Sequence, residues 1–556
     1  MRHLTPLIIM LTLLLAACAA PAAPTAPAPT APAPTPAPTR PALAPPVGLD
    51  GKLAQAAGGL PWWNQTVFYE VFVRSFYDSN GDGVGDLNGL IQKLDYLNDG
   101  DPATTDDLGV TGIWLMPIMQ SPSYHGYDVS DYAKVDDEYG TNDDFRRLMQ
   151  EAHRRGIYVI VDLVLNHTSR EHPWFLAALT PGSAKRDWYI WSADKPEGAG
   201  WRESANGYYY GYFSADMPDL SYANPAVTAA MREVTRYWLQ EMGADGFRLD
   251  AVKHLFEEGR RLENVPATHE WLRGFGQFYR GVRPTAFTVG EVWSTSDISS
   301  QYVGAELDTV FDFPLAEAIL QSAVSGRKVN VERAQQTALD SYPAGQYATF
   351  LANHDQNRAR TRLLDDEQAK LAAALQLTFA GVPFIYYGEE IGMSGSKPDE
   401  DIRRPMQWDP SGGFTTGTPW RPYFEDLPAR SVASQRGDPD SLFNFYRALI
   451  RLRNTHEALR LGQSWLVGSE AESVHAVLRA AAQQTALVVF NLGFKPAEEY
   501  SLSLAAGPLR GAPGARLLLG TGDAAAPAVN AAGGFDAYRP LTSLPPHSVT
   551  VIQLDP

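Results

Sequence analysis

The sequence predicts an α/β fold: a (β/α)8 barrel interrupted by a subdomain after its third strand and followed by a small antiparallel β-domain. Three observations predict it. Apolar runs recur between Trp62 and Arg453, and several end in acids, histidines or tyrosines: residues 123–128, 159–167, 246–254, 287–293 and 349–357. Strands that discharge polar groups at their C-terminal ends are how such a barrel builds an active site. Helical patterns separate the runs, among them Asn142 to Arg155, with an N-cap at Thr141 or Asn142, and Asn224 to Met242, stopped by Gly243. From about Leu461, strands such as 486–492 and 549–554 alternate with Gly, Pro and Ala turns, the pattern of a small antiparallel domain.

Taken in order, the barrel begins after Trp62-Trp63 with a buried strand at 67–73. The loop Asp78-Ser79-Asn80-Gly81-Asp82-Gly83-Val84-Gly85-Asp86 follows, with oxygen side chains at alternate positions and glycines between them. That is a Ca²⁺-loop pattern, similar to the start of an EF-hand but without its terminal Glu; the plainer alternative is an acidic, Gly-rich turn. Residues 112–117 are the second strand and 159–165 the third. Between His167 and Tyr222 roughly 55 residues rich in Trp, Tyr and Gly break the rhythm, too many for a structureless loop, so they read as an inserted subdomain. Strands follow at 244–250, 287–292, 308–313, 346–351 and 381–388, with helices at 365–380 and 441–453. The barrel therefore occupies 61–167 and 223–458, the insertion 168–222 and the β-domain 459–556.

The 556 residues exceed one compact domain, and 44% hydrophobic residues suffice for a large core. With 46 Lys and Arg against 64 Asp and Glu, the formal net charge is −18, which argues against nucleic acid or anionic membrane surfaces and suits a neutral substrate. A single cysteine excludes a disulfide within the chain. That residue, Cys18, closes Leu15-Ala16-Ala17-Cys18 after a basic start and an apolar run, 4–15, too short to span a bilayer. The segment resembles a bacterial lipobox; the plainer alternative is an ordinary signal peptide that contains a cysteine. Residues 1–18 are thus expected to be a lipoprotein signal peptide. Residues 19–60, rich in Pro, Ala and Thr, are expected to be a semi-rigid tether. The mature protein is expected to be secreted, monomeric and lipid-anchored at the cell surface of a bacterium, touching the membrane only through the lipid on Cys18.

Arg248 and Asp250 sit two apart in a buried strand and share a face. Two buried charges pointing together must pair or do chemistry. A structural salt bridge is the plainer alternative, and the polar ends of the other strands weigh against it. In this order, and from about Trp62 to Arg453, these segments resemble the α-amylase family, glycoside hydrolase family 13. The resemblance implies a domain B at the insertion and assigns Asp250 as nucleophile, Glu291 as acid/base and Asp355 as a third carboxylate gripping sugar hydroxyls. It implies substrate contacts at Tyr127, an aromatic platform, at His167, Arg248 and His354, and, on the leaving side, at Lys253 and His254. Arg248 is expected to keep Asp250 ionised by lowering its pKa, and Asp162 to be the structural partner of Arg248. Glu291, after a glycine in an apolar strand, is expected to hold its proton through desolvation. The resemblance also favours calcium at 78–86, held by Asp78, Asn80, Asp82, the Val84 carbonyl and Asp86, and leaves open a second ion at Asn166, Asp219 and the His254 carbonyl. Met217 to Ser221 resembles a family segment in a form between the oligo-1,6-glucosidase and neopullulanase types, with Ser221 where the marker often has Asn. Arg404 to Asp409 resembles a loop typical of the oligo-1,6-glucosidase side. Tyr124 stands where exo-acting relatives carry an Asp, Ala251 where α-1,6-specific ones carry Val, and Lys253-His254 matches α-amylases. These residues favour internal α-1,4 cleavage of a starch-like α-glucan. The enzymatic alternatives are a maltogenic amylase, neopullulanase or glucanotransferase, then an oligo-1,6-glucosidase, exo-glucosidase or trehalose synthase. A non-catalytic glucan-binding lipoprotein is disfavoured, because all three carboxylates are present.

Overall fold

Eight short parallel strands surround the chemistry-bearing residues. They are β1 (Phe68–Val71), β2 (Gly112–Leu115), β3 (Tyr158–Val164), β4 (Gly246–Asp250), β5 (Phe287–Gly290), β6 (Thr309–Val310), β7 (Ala348–Thr349) and β8 (Val382–Tyr386). In this computed structural model, which describes residues 60–258 and 260–555, they pair in the order β6-β5-β4-β3-β2-β1-β8-β7. A bridge from Phe311 to Ala348 crosses the remaining gap, with the Asp312 amide donating to the Ala348 carbonyl at 3.1 Å. Helices cover the outer face and side chains fill the inner one, so both faces are buried; this is why β3 is buried throughout and apolar apart from Asp162. Residues 1–59, on which the expected signal peptide, the expected lipid on Cys18 and nearly all of the expected tether fall, lie outside the described residues.

α1 (Asn142–Arg154) starts at Thr141, whose hydroxyl accepts from the Asp144 amide while Asp144 reaches back to the Thr141 amide, a capping box. α2 (Pro225–Arg236) departs from the sequence reading. The expected single helix changes at Tyr237 into a π-helical turn, Tyr237–Met242, before Gly243 ends it at φ 85°. In that wider turn the Trp238 indole donates to the Tyr132 carbonyl at 2.8 Å, a tertiary bond no periodicity reveals. β7 is also shorter than the expected 346–351, because the chain leaves the ladder after Thr349 to carry residues 353–355 over the barrel mouth.

Between β3 and α2 lie a helix, Pro173–Ala178, and a three-stranded antiparallel sheet of Trp191–Ser192, Gly207–Tyr210 and Trp201–Ser204. Its return joins the barrel through the bridge from His167 to Asp219. The C-terminal sheet has seven antiparallel strands, with Thr485–Asn491 near its centre between Val474–Ala480 and Ser548–Gln553. It docks on the C-terminus of α3 (Asp366–Thr378). Arg479 donates to the Thr378 carbonyl at 2.7 Å, and Arg453 donates to the Leu377 and Phe379 carbonyls at 2.9 Å. Burial pulls the Arg453 and Arg479 pKa values down to about 9 and about 10. The negative end of the helix compensates two guanidinium groups that have no carboxylate partner among these contacts.

Candidate active site

Arg248 is the hub of the barrel mouth. Register sets it level with Asp162 on β3 and Val289 on β5, and its side chain is wholly buried. One terminal nitrogen donates to Asp162 at 3.0 and 3.1 Å and to Asp250 Oδ1 at 2.6 Å. The other lies 2.8 Å from Glu291 Oε2. Trp114 and Tyr127 present their rings to the guanidinium at 5.2 and 5.7 Å. A strand period of 2 puts Arg248 and Asp250 on one face, and the parallel neighbours β3 and β5 supply the other two carboxyls. Asp162 is thus Arg248's buried partner, and the hub also gathers Asp250 and Glu291.

The electrostatics correct one expectation. Arg248 does pull Asp250 down, but burial outweighs it and the carboxyl ends above its ordinary pKa. The sequence displays the neighbouring cation, which does pull the carboxyl down, and hides the depth of burial that outweighs it. Burial, with Asp250 and Asp355 adding repulsion, also raises Glu291, which suits a proton-holding group. Asp355 behaves oppositely. Burial alone would raise it, but His354, bonded at 3.1 Å, and Arg403, at 3.0 Å, hold it well below the usual carboxylate range. Its side chain is 30% exposed.

The two histidines differ in charge. Burial drives His167 down to about 4, so it is neutral, and its Nε2 is buried with no partner. His354 lies between Glu70, at 2.6 Å, and Asp355; burial opposes its protonation, yet these carboxylates raise it to about 9. Tyr127 stacks along His354 at 5.5 Å and donates to Asp162 at 3.1 Å. Ala251, next to Asp250, holds φ 48°, a left-handed conformation that costs a non-glycine residue energy, and its amide donates to Glu291 Oε2 at 3.1 Å. Lys253 and His254 sit to one side. Lys253 pairs with Glu263 at 2.5 Å and donates to the Trp293 carbonyl at 2.9 Å, while His254 stacks on Tyr212 at 4.5 Å. Trp293 is 48% exposed and stacks on Phe313 at 4.5 Å. Sequence reasoning missed Glu70 and Arg403, each joined to the site by a long-range contact, and Glu263, which the loop after Lys253 brings back to it.

The alpha-amylase catalytic-domain family matches residues 70–462. The chain belongs to that family. It is therefore a glycoside hydrolase of the α-amylase type, on the barrel scaffold its solved relatives share. It is 40% identical over 443 residues to alpha-amylase 3 of Dictyoglomus thermophilum, covering 78% of this chain and 85% of the relative. Oligo-1,6-glucosidase of Parageobacillus thermoglucosidasius is 32% identical, with 78% and 91% covered. The crystal structure of an alpha-amylase from H. orenii superposes with a TM-score of 0.77 at 39% identity, covering 88% of this chain and 99% of that one.

Calcium is the metal implied for this amylase-family chain. Loop 78–86 offers hard oxygen donors of the right kind. Its turns place Gly81 and Gly83 at φ 85° and 96°. Asp78 already accepts amides from Asn80, Gly81 and Gly83 at 2.7–3.0 Å, and Asp86 caps the next helix through the Gly89 amide at 2.7 Å. Asp82 accepts from the Val84 amide at 2.8 Å and from the Asn80 side chain at 3.0 Å. At the other candidate site, Asp219 Oδ2 is buried with no partner, while Oδ1 accepts from the Tyr212 amide at 3.1 Å. Burial, then the charge of Glu257, pushes Asp219 up to about 8. An orphaned buried carboxylate oxygen beside a second acid fits a cation. Among the described residues no three Asp, Glu, His or Cys side chains form a ready-made cage.

Proposed function

We propose that this glycoside hydrolase cleaves internal α-1,4-glucosidic bonds of starch-like glucans with retention of anomeric configuration. The observation that carries the reading is Arg248 holding Asp250 on one terminal nitrogen and Glu291 on the other. The two carboxyls belong to adjacent strands, whose axes lie about 4.8 Å apart. That spacing suits the roughly 5–5.5 Å separation of retaining glycosidases, which leaves no room for a water between the groups. Arg248 occupies Asp250 Oδ1, and Oδ2 attacks the anomeric carbon as the bond to the leaving oxygen breaks. Glu291 gives its proton to that oxygen. Glu291, now ionised, then takes a proton from water, whose oxygen displaces Asp250 from the anomeric carbon. Asp355, held ionised by His354 and Arg403, accepts hydrogen bonds from sugar hydroxyls that tighten as the ring flattens. Tyr127 floors the sugar at the cleavage point, His167 contacts its hydroxyls, and Lys253 and His254 meet the leaving side.

Endo-acting α-1,4 specificity rests on Tyr124, Ala251 and Lys253-His254, and on relatives named alpha-amylase standing at 40% and 39% identity against 32% for the oligo-1,6-glucosidase. We further propose Ca²⁺ on Asp78, Asn80, Asp82, the Val84 carbonyl and Asp86, a second ion at Asn166, Asp219 and the His254 carbonyl, and a lipid on Cys18 that anchors the secreted enzyme. Bound Ca²⁺ supplies charge and coordination that tie loops together; no bond-breaking step uses it.

Product analysis over time on soluble starch, maltotriose, pullulan and isomaltose tests the bond and the mode. The expected early products are a ladder of maltooligosaccharides from starch, with isomaltose nearly untouched. Isomaltose hydrolysed as fast as maltotriose, or single glucose units released from starch from the start, would overturn the assignment.

A further inference from the structure

Glu70 is a carboxyl with no place in the mechanism above, although it lies in the barrel. It occupies the third position of β1, level with Trp114 on β2 and Tyr386 on β8, and is 2% exposed. A carboxylate at that depth is costly unless a specific partner holds it. The partner is His354, whose Nδ1 lies 2.6 Å from Glu70 Oε1 although 284 residues separate them. The opposite ring nitrogen, Nε2, is 3.1 Å from Asp355 Oδ2 and in contact with the Tyr127 hydroxyl. Trp114 meets the ring edge-on at 5.6 Å and Tyr127 stacks along it at 5.5 Å, so its plane is fixed. An imidazole with a carboxylate at each end satisfies both only by donating from both nitrogens, which requires the imidazolium.

We propose that Glu70 is a positioning residue of the active site: it holds the His354 ring doubly protonated, so that one N–H answers Glu70 and the other holds Asp355 ionised and aimed at the sugar. The proposal rests on the catalytic reading above for what Asp355 then does. The groups facing the ring are Glu70 from β1, Tyr127 from the segment after β2, Asp162 and Asp250 from β3 and β4, and Asp355 itself. Arg248 opposes the ring's charge from β4, and Arg403 donates to the His354 carbonyl at 2.9 Å. The acids prevail. Burial opposes the imidazolium, but Asp355 and Glu70 lift its pKa to about 9, and His354 in turn is the strongest influence pulling Asp355 down.

Glu70→Gln keeps the shape and an acceptor for Nδ1–H but removes the charge. The ring then needs only one proton, and a neutral imidazole lacks the positive charge that holds the Asp355 carboxylate ionised and aimed. The test follows the imidazole signal of His354 by NMR in the full chain, identified by its loss in His354→Asn, together with kcat/KM on a maltooligosaccharide against pH. In the wild type the ring is expected to stay protonated through pH 8. In Glu70→Gln it should deprotonate at least one pH unit lower. The variant's kcat/KM should be down at least tenfold at pH 8 and within about threefold of wild type near pH 5.5, where the ring is protonated without help.

Wild-type titration near the ordinary value of 6.5 would overturn the proposal whether or not the variant folds. Identical ring titration in both enzymes would overturn it too, as would a loss of activity equal at every pH, which marks a structural role only. An active Asp250→Asn enzyme would instead sink the catalytic reading, and the ring titration would still decide the hold of Glu70 on His354.

Discussion

Arg248, His354 and Arg403 are three cations among five buried or half-buried carboxyls: Glu70, Asp162, Asp250, Glu291 and Asp355. Such a cluster does not ionise fully, and the question is which acids keep their protons. Asp355, between His354 and Arg403, gives its proton up. Burial raises Glu70, Asp162 (to about 7), Asp250 and Glu291, and of these Glu291, pulled down by Arg248 but repelled by Asp250 and Asp355, is the one assigned to the leaving oxygen. A general acid works while protonated, so kcat/KM should fall as pH rises through this raised pKa. Glu291→Gln should lower kcat/KM on maltooligosaccharides roughly 10²–10⁴-fold, and far less on an α-glycosyl fluoride, which departs without a proton. Equal losses on both substrates would remove Glu291 as the acid. This scale also shows where the sequence falls silent. Asp250, Glu291 and Asp355 stand at the ends of apolar runs and announce themselves. Glu70 sits inside one, and its reason for being there is a histidine brought close only by the closed barrel. The net shift of Asp250 is hidden for a related reason: the pull of a neighbour two residues away is legible, but the depth of burial belongs to the whole fold.

Among the elements, those ruled by local chemistry were the most legible. The N-cap, expected at Thr141 or Asn142 and found at Thr141, and the stop at Gly243, a left-handed position that glycine adopts freely, follow from residues at the helix end itself. The π turn Tyr237–Met242 and the two-residue β7 answer to distant packing and escaped the sequence. Loop 78–86 is intermediate, because its spacing is plain but its carboxylates bind its own amides as well as any ion it holds. If it takes Ca²⁺, chelation should lower the Tm by an amount that tracks free Ca²⁺, since a ligand of the folded state stabilises by mass action. Asp82→Ala should remove most of that response. A melting curve indifferent to chelator, with no metal on elemental analysis, would leave an acidic turn.

For the whole molecule, the C-terminal sheet is joined to the barrel where its Arg479 caps α3 beside Arg453 of the barrel's closing helix, Leu442–Thr455, which couples sheet docking to the wall of the barrel. At the other end of the chain, the Leu15 to Cys18 motif and the Pro-rich stretch after it predict an enzyme that partitions with membranes, and Cys18→Ala should release or misprocess it. Unchanged partitioning in that variant would end the lipid-anchor proposal. The central claim is that Asp250 attacks and Glu291 protonates across a gap too narrow for water, which dictates retention. Proton NMR of the first product formed from a maltooligosaccharide, read before mutarotation, tests this most directly. An initial α-anomer is the result this arrangement predicts; an initial β-anomer would mean inversion, and Asp250 would not be the nucleophile.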